Sequence, residues 1–415
     1  MDRIESMAVR LVRRTGARGR LWACTALMCA SMASWAQDSG PVKIGMVFPK
    51  QGPSASIGEF LSRGAMLAVE QHGKVLGRDV DVVFLDEPNA QLAQQNFQKL
   101  VDEHRVAGVV GANSSASALA MMGVAARSKT PLVVAGAAAR EVTGANCNPY
   151  TFRFQATVPV QMAGLMPIVD KQGKKVYFIT PAYAFGQDIL RTGRTMLKSN
   201  GGQEAGVDEV PLNTADYSSY VLKIRAARPD AVVGGLVGQD LSNFLKAWNA
   251  MGMKDKIPYY EIAVSDTDFW DVGAASSAGT YVKPWYYNDP ANSEAEKAFT
   301  KLFIEKYGRP PADKAYSGWL SMRSLLDAID AAKSTEGPAV AAALEQWKDD
   351  KGAFPAYYRT WDHQLIRPSV IASIKKDITD KWDFFDVVGH TSQAEEDTLR
   401  DFGTKEEVGC NMPAR

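Results

Sequence analysis

The sequence predicts an α/β protein with two Rossmann-like, doubly wound lobes, each built on a parallel-rich sheet with helices on both faces. Short runs of β-branched and apolar residues alternate with longer segments of helical spacing, a pattern typical of repeated strand–helix–strand units. This alternation begins again after Arg153. A chain of 415 residues also exceeds what one hydrophobic core usually organises, so two domains are expected.

The first half contains four predicted strands separated by three predicted crossover helices. The strands are Val42–Phe48, Val80–Leu85, Val106–Val110 and Leu132–Ala135. The helices are Ile57–Gln71, Gln91–His104 and Ser117–Ala126. Because helical crossovers join parallel strands, these segments predict a parallel sheet.

The second half repeats this pattern and then departs from it. Four further strands are predicted at Lys175–Thr180, Ala205–Val210, Ala231–Gly235 and Ile257–Ile262, with Tyr217–Ala227 among the intervening helices. Three helices are predicted next, at Ser293–Tyr307, Lys314–Ala332 and Pro338–Trp347. Finally, Ser369–Lys375 and Lys381–Val388 flank a short polar turn, which predicts a hairpin.

Residues 1–36 have the composition of a cleavable signal peptide. Six arginines precede a short apolar run from Leu21 to Trp35, and Ser34 and Ala36 are the small residues that a leader peptidase needs before Gln37. The apolar run is too short to span a bilayer. The sequence therefore predicts export to the periplasm.

Charge and cysteine content after the leader restrict the partners and the covalent structure. Removing six arginines and two acids from the 47 basic and 47 acidic residues leaves a net charge near −4, which argues against nucleic acid as a partner. Only Cys147 and Cys410 remain, in a compartment that permits disulfides, so a single bond between them is the simplest prediction. Two unpaired, buried thiols are the alternative.

The sequence offers little that indicates an enzyme or a cofactor. The four histidines lie far apart, and none has metal-ligand spacing to a cysteine or to another histidine. A phosphate-binding P-loop, a nucleophile elbow and a full dinucleotide fingerprint are all missing. We therefore predict a protein without cofactor or metal that is not an enzyme, because a secreted enzyme would need a nucleophile with a base or a metal cluster.

In an open parallel sheet, ligands bind where strands end and helices begin. Ser114 and Ser115 follow one predicted strand, and Gly136 and Ala138 follow the next. Their hydroxyl and backbone N–H groups are candidates for binding a carboxylate, although the serines would also suit a helix cap and the small residues would also suit tight packing.

Strand ends in the second half supply aromatic and acidic candidates. Tyr183 and Phe185 follow one strand and would stack on an organic ligand, with core packing as the alternative. Glu261 and Asp266 follow another strand and would receive a cationic group, unless they are ordinary solvated surface charges.

These landmarks together resemble the type I periplasmic solute-binding proteins of the branched-chain amino acid ABC transporter family, the leucine/isoleucine/valine-binding proteins. The resemblance rests on four segments and spans almost the whole mature chain. They are Ile44–Gly64, Val109–Ala120 around the serine pair, Ala135–Thr143, and the aromatic-glycine turn Tyr183–Gly186.

The resemblance implies two lobes joined by three hinge crossovers, near Gln155, near Pro284 and between Asp362 and Ser369. Lobe 1 would comprise residues 41–155 plus 284–365, and lobe 2 residues 156–283 plus 370–415. It also implies hinge closure of a monomer around a small-molecule ligand, which an ABC transporter permease in the inner membrane then accepts. A periplasmic sensor or receptor on the same fold is the alternative.

Family members that bind amino acids hold the α-carboxylate with groups that correspond to Ser115, Gly136 and Ala138. A threonine is common at the position of Ala138. The α-ammonium is held by a tyrosine and an acid, which correspond to Val237 or Gly238 and to Glu261. Because the tyrosine is missing, the resemblance leaves two ligand classes open, namely branched-chain or other amino acids and aromatic or aliphatic carboxylic acids.

Overall fold

In this computed structural model, residues 40–391 and 403–412 are described, so the predicted signal peptide lies outside the described residues. The first lobe is built on five parallel strands in the order β2–β1–β3–β4–β5. These strands are β1 (Val42–Phe48), β2 (Val80–Asp86), β3 (Val109–Gly111), β4 (Leu132–Val134) and β5 (Thr151–Arg153). The sequence predicted the first four, and β5 is an addition.

Helices α1 (Ala55–His72), α2 (Ala90–Lys99) and α3 (Ser115–Ser128) connect the first four strands. Helix α2 ends at Lys99, short of the predicted His104, because the backbone widens into a π-helical turn over Leu100–His104. Arg105 then adopts a left-handed conformation that stops the helix.

The second lobe is built on a seven-stranded sheet in the order β15–β14–β10–β9–β8–β6–β7. Its five parallel strands are β6 (Lys175–Pro181), β7 (Gln203–Val210), β8 (Ala231–Gly234), β9 (Tyr259–Ile262) and β10 (Thr280–Lys283). The helices beside it are α4 (Val158–Val169), α5 (Ala184–Ser199), α6 (Ser218–Ala227), α7 (Gln239–Ala250) and α8 (Asp266–Val272).

After β10 the chain returns to the first lobe. Helices α9 (Glu294–Tyr307), α10 (Asp313–Ala332) and α11 (Gly337–Gln346) follow, close to the predicted bounds. A small antiparallel sheet that the sequence did not predict comes next, with strands β11 (Lys348–Asp349), β12 (Ala356–Tyr358) and β13 (Leu365–Ile366). Within the described residues, 40–391 and 403–412, no helix is both long enough and apolar enough to cross a bilayer.

The predicted hairpin near the end of the chain is confirmed. Strands β14 (Val370–Ile374) and β15 (Phe385–His390) pair antiparallel at the edge of the second sheet. The final described segment contains a single helical turn, α12 (Lys405–Val408). The predicted disulfide between Cys147 and Cys410 is also present, with 5.7 Å between the Cα atoms, and it ties this segment to the loop after β4.

Helix α10 packs closely on α1 because two glycines permit it. A Cβ on Gly64 would lie 1.8 Å from the carbonyl oxygen of Ala315, and one on Gly318 would lie 2.0 Å from that of Leu61. Tyr316, one turn from the start of α10, stacks on Trp285 at 4.7 Å between ring centroids. The first residues of α10 are therefore held firmly against the body of the first lobe.

Candidate functional site

A cavity of about 160 Å³ lies between loops that follow the strands of both sheets. Six of the eight predicted ligand residues line it, namely Ser114, Ser115, Gly136, Ala138, Tyr183 and Phe185. Ile57, Leu212, Val237 and Ala263 add apolar wall. Because an apolar cavity of about 150 Å³ accommodates benzene, this volume suits a ligand of roughly one small ring or one branched chain.

The serine pair sits at the start of α3, and its two members do different things. Ser114 is the helix cap, since its Oγ accepts the N–H of Ser117 at 3.1 Å. The Oγ of Ser115 accepts the N–H of Ala139 at 3.2 Å, and the residue is 2% exposed. This bond uses a lone pair of the Ser115 hydroxyl and leaves its hydrogen able to donate into the cavity.

Glu87 holds the turn that carries Ser114 and Ser115 in place, a role that the sequence did not indicate. Its carboxyl oxygens accept the N–H of Asn113 at 2.7 Å and the N–H of Ser114 at 2.9 Å. Burial raises the pKa of Glu87 to about 7. The turn that carries Ser115 is thus fixed by a buried acid on the loop after β2.

The loop after β4 approaches this turn closely because position 136 is a glycine. A Cβ there would lie 2.9 Å from the Cα of Asn113 and 3.1 Å from its carbonyl oxygen. Two residues on, the carbonyl of Ala138 accepts the N–H of Val158 at 3.0 Å, at the start of α4. The small residues therefore serve tight packing and also border the cavity.

Tyr183 and Phe185 form the aromatic part of the wall at the start of α5. Their ring centroids are 6.2 Å apart, and Phe185 is 4% exposed. Burial raises the pKa of the Tyr183 hydroxyl, so this group stays protonated and can donate a hydrogen bond. Gly186 is required behind them, because a Cβ there would lie 1.9 Å from the carbonyl oxygen of Pro181.

The structure does not bring Glu261 and Asp266 to the cavity lining, contrary to the sequence-based expectation. Glu261 lies near the end of β9 on the same face as Tyr259, whose hydroxyl donates to it at 2.5 Å. The sequence shows where a strand ends, but it does not show on which face of the sheet the side chains of its last residues lie. Burial raises the pKa of Glu261 well above its usual range, so this carboxyl is held protonated.

Asp266 is committed to a contact between the lobes instead. Its carboxylate pairs with the buried Lys283 and accepts the N–H of Asp313 at 2.7 Å, while Asp313 accepts the N–H of Asp266 at 3.1 Å. Each aspartate is therefore bonded to the first N–H of the other's helix, α8 in one lobe and α10 in the other. Neither is a surface charge, since both are fully buried.

Lys314 lines the cavity, and the sequence analysis missed it as a site residue. Its side chain is 3% exposed, and Nζ lies 3.4 Å from Oδ2 of Asp313. A lysine in the first turn of a helix opposes the helix dipole. A lysine at the start of a predicted helix was therefore the feature of the sequence that could have identified Lys314 as a site residue.

A larger cavity of about 440 Å³ lies between the start of α4 and the segment that contains α12. Its two arginines already have acidic partners, since Arg140 pairs with Asp188 and Arg359 pairs with Asp362. None of the predicted ligand residues lines it.

Comparison with known proteins agrees with the fold. The family model described as periplasmic binding protein matches residues 41–379. A Leu/Ile/Val-binding protein homolog of Brucella suis is 26% identical over 336 residues, which cover 76% of this chain and 84% of that protein.

Solved structures superpose over most of the described chain. A periplasmic binding protein from Burkholderia mallei has a TM-score of 0.82 and 28% identity, covering 89% of this chain and 98% of that one. A solute-binding protein of an ABC transporter from Rhodopseudomonas palustris, in complex with 3,4-dihydroxybenzoic acid, has a TM-score of 0.78 and 21% identity, with coverage of 86% and 98%. This chain belongs to the type I periplasmic binding proteins of the branched-chain amino acid transporter family.

Proposed function

We propose that this substrate-binding protein of ABC transporter type captures a small carboxylate-bearing organic solute in the cavity between its lobes. The observation that carries the proposal is the convergence of six strand-end residues from both lobes on one cavity. Ligands of open parallel sheets bind at such strand ends. The captured solute is then delivered to a permease in the inner membrane by a monomeric binding protein in the periplasm.

The donors around the cavity suit a carboxylate. Ser115 and Tyr183 line it, and each carries a hydroxyl that can donate a hydrogen bond. The backbone N–H groups of Ser115 and Ala116 belong to the first turn of α3, where a helix has no carbonyl partner for them. Because the N-terminus of a helix also carries partial positive charge, an anionic group is favoured there.

The remaining wall suits an apolar ligand body. Phe185 and Tyr183 offer ring faces or edges, and Ile57, Leu212 and Val237 offer aliphatic contacts. Two of the similar proteins are named for ligands of this kind, since leucine, isoleucine and valine and a dihydroxybenzoic acid all combine a carboxylate with an apolar body. Their common chemistry supports the proposal for this chain.

Closure of the two lobes is the proposed mechanism of capture. We propose lobe 1 as residues 41–155 plus 284–365 and lobe 2 as residues 156–283 plus 370–415, with hinges near Gln155, near Pro284 and between residues 362 and 369. The ligand touches strand ends of both lobes only when they are together, so binding favours the closed form. The mutual bonds of Asp266 and Asp313 would break on opening.

The test is a thermal-shift screen of the ligand-stripped mature protein against amino acids, aliphatic acids and aromatic acids, followed by calorimetry of the compounds that stabilise it. Ser115→Ala removes one hydrogen bond to a charged group and is expected to weaken binding by about 1.5–3 kcal/mol. Ser128→Ala, at the other end of α3, is the matched control and keeps full affinity. Equal affinity of the wild type and Ser115→Ala would contradict the proposed site.

A further inference from the structure

We propose that Lys314 pairs with the carboxylate of the solute and restricts the site to small apolar monocarboxylic acids that lack an α-ammonium group. This inference rests on the function proposed above and names its substrate class. Among the residues described, 40–391 and 403–412, Lys314 is the only charged side chain that lines the cavity.

The position of Lys314 is unfavourable for folding alone. Its side chain is 3% exposed, and it occupies the second position of α10, where the helix dipole repels a cation. Within the described part of the chain, the carboxylate oxygen found within 4 Å of Nζ is Oδ2 of Asp313, at 3.4 Å. A buried ammonium has three hydrogens to satisfy, and this contact does not satisfy them.

A ligand carboxylate would supply what Lys314 lacks. Lys314 and Ser115 line the same cavity, so an anion that enters it meets a residue with a full positive charge and a residue with a hydroxyl donor. In a site closed to water such a charge-assisted interaction is about twice as strong as a neutral hydrogen bond. The unfavourable position of Lys314 is thus explained by binding.

An α-ammonium group finds no counter-charge at the wall. The nearby acids are engaged elsewhere: Glu87 accepts two backbone N–H groups, Asp266 is paired with Lys283, and Glu261 is bonded to the hydroxyl of Tyr259. Asp313 accepts the N–H of Asp266 and lies beside Lys314 itself, and Asp268 accepts the N–H of Ser265. None of these five acids lines the cavity. An amino acid would therefore bury its ammonium unpaired, which is strongly unfavourable.

The same reasoning limits the ligand to one carboxylate. Apart from Lys314, the positive character available to the cavity comes from the partial charges at the starts of α1, α3 and α5. A second carboxylate would face Phe185, Leu212 and Val237 without a cation. The ligand body opposite the carboxylate is consequently apolar, aliphatic or aromatic.

Two sets of matched compounds test the inference by calorimetry on the ligand-stripped protein. One set is 4-methylpentanoate, 4-methylpentanamide and leucine, and the other is benzoate, benzamide and phenylalanine. In at least one set the acid is expected to bind roughly tenfold or more tightly than both its amide and its amino acid. In Lys314→Met the acid loses that advantage, while the affinity for the amide is unchanged.

Lys333→Met is the matched control, because it makes the same change at the exposed far end of α10 and should preserve the acid's advantage. Lys314→Gln is a second variant that keeps polarity without charge, in case methionine perturbs folding.

Three outcomes would overturn the inference: tightest binding of an amino acid, an acid-over-amide preference that survives in both Lys314 variants, or no binding of any compound in the two sets. Binding of an amino acid that still depends on Ser115 would leave the proposed function intact and refute only the substrate class.

Discussion

Replacement of Gly64 by alanine tests whether close contact between α1 and α10 holds the cavity in shape. A Cβ at position 64 would lie 1.8 Å from the carbonyl oxygen of Ala315, whereas ordinary contacts begin near 3.4 Å. The two helices would have to separate by about 1.6 Å at this point. Overpacking of this kind costs about 1–3 kcal/mol, because a close-packed interior yields little.

Gly123→Ala is the matched control. Gly123 also lies inside a helix, α3, but a Cβ there would meet only the flexible end of Arg127, at 3.3 Å. Both substitutions gain up to about 1 kcal/mol of helix propensity, so the difference between the two variants isolates the packing effect. Urea unfolding followed by tryptophan fluorescence is expected to show Gly64→Ala less stable than Gly123→Ala by about 1–3 kcal/mol.

The Gly64 substitution should also weaken binding, since Lys314 precedes the displaced Ala315. A Gly64→Ala protein that matches Gly123→Ala in stability would refute the packing argument.

Three further perturbations have expected outcomes. The pKa of Glu87 is raised from 4.5 to about 7 by burial, so its native carboxyl stays protonated while the unfolded one ionises. The stability advantage of the wild type over Glu87→Gln is therefore fully present below about pH 4.5. As the pH rises through about 7, on the order of 3 kcal/mol of that advantage is lost. Urea unfolding of both proteins from pH 4 to pH 8 checks this, and a difference in unfolding free energy that does not change with pH would contradict it. Joint replacement of Cys147 and Cys410 by serine is expected to lower the free energy of unfolding by about 2–4 kcal/mol, and reduction of the wild type should match it. Asp313→Ala removes the acceptor of the Asp266 N–H and should favour separated lobes, seen as a larger radius of gyration by small-angle scattering; an unchanged radius would argue against that contact as a closing interaction.

The regular parts of the fold could be predicted because they depend on local patterns. Strand β1 begins and ends at the predicted residues, Val42 and Phe48. Parallel strands that are buried on both faces consist of continuous apolar runs, and in the helices between them the apolar residues recur every three to four positions. Strand β5 was missed because its residues, Thr151–Arg153, do not form an apolar run like those of the equally short β4, so it is defined by its pairing with β4.

The candidate site could be predicted only in part, since it is assembled from distant segments. Ser115 and Phe185 follow strand ends that the sequence makes visible, and the structure brings them to one cavity. Glu261 also follows that rule, but its carboxyl is bonded to the hydroxyl of Tyr259 and the residue does not line the cavity. Lys314 reaches the cavity from α10, and the packing of that helix on α1 through Gly64 is a tertiary contact that no local pattern reports.

The most direct test of the central claim is a crystal structure of the protein with the carboxylate that stabilises it most in the thermal-shift screen. We predict the ligand between the lobes, with its carboxylate about 3 Å from Oγ of Ser115 and its apolar body against Tyr183 and Phe185. A ligand bound instead in the larger cavity beside Arg140 and Arg359, or one that leaves Ser115 without a contact, would contradict the account.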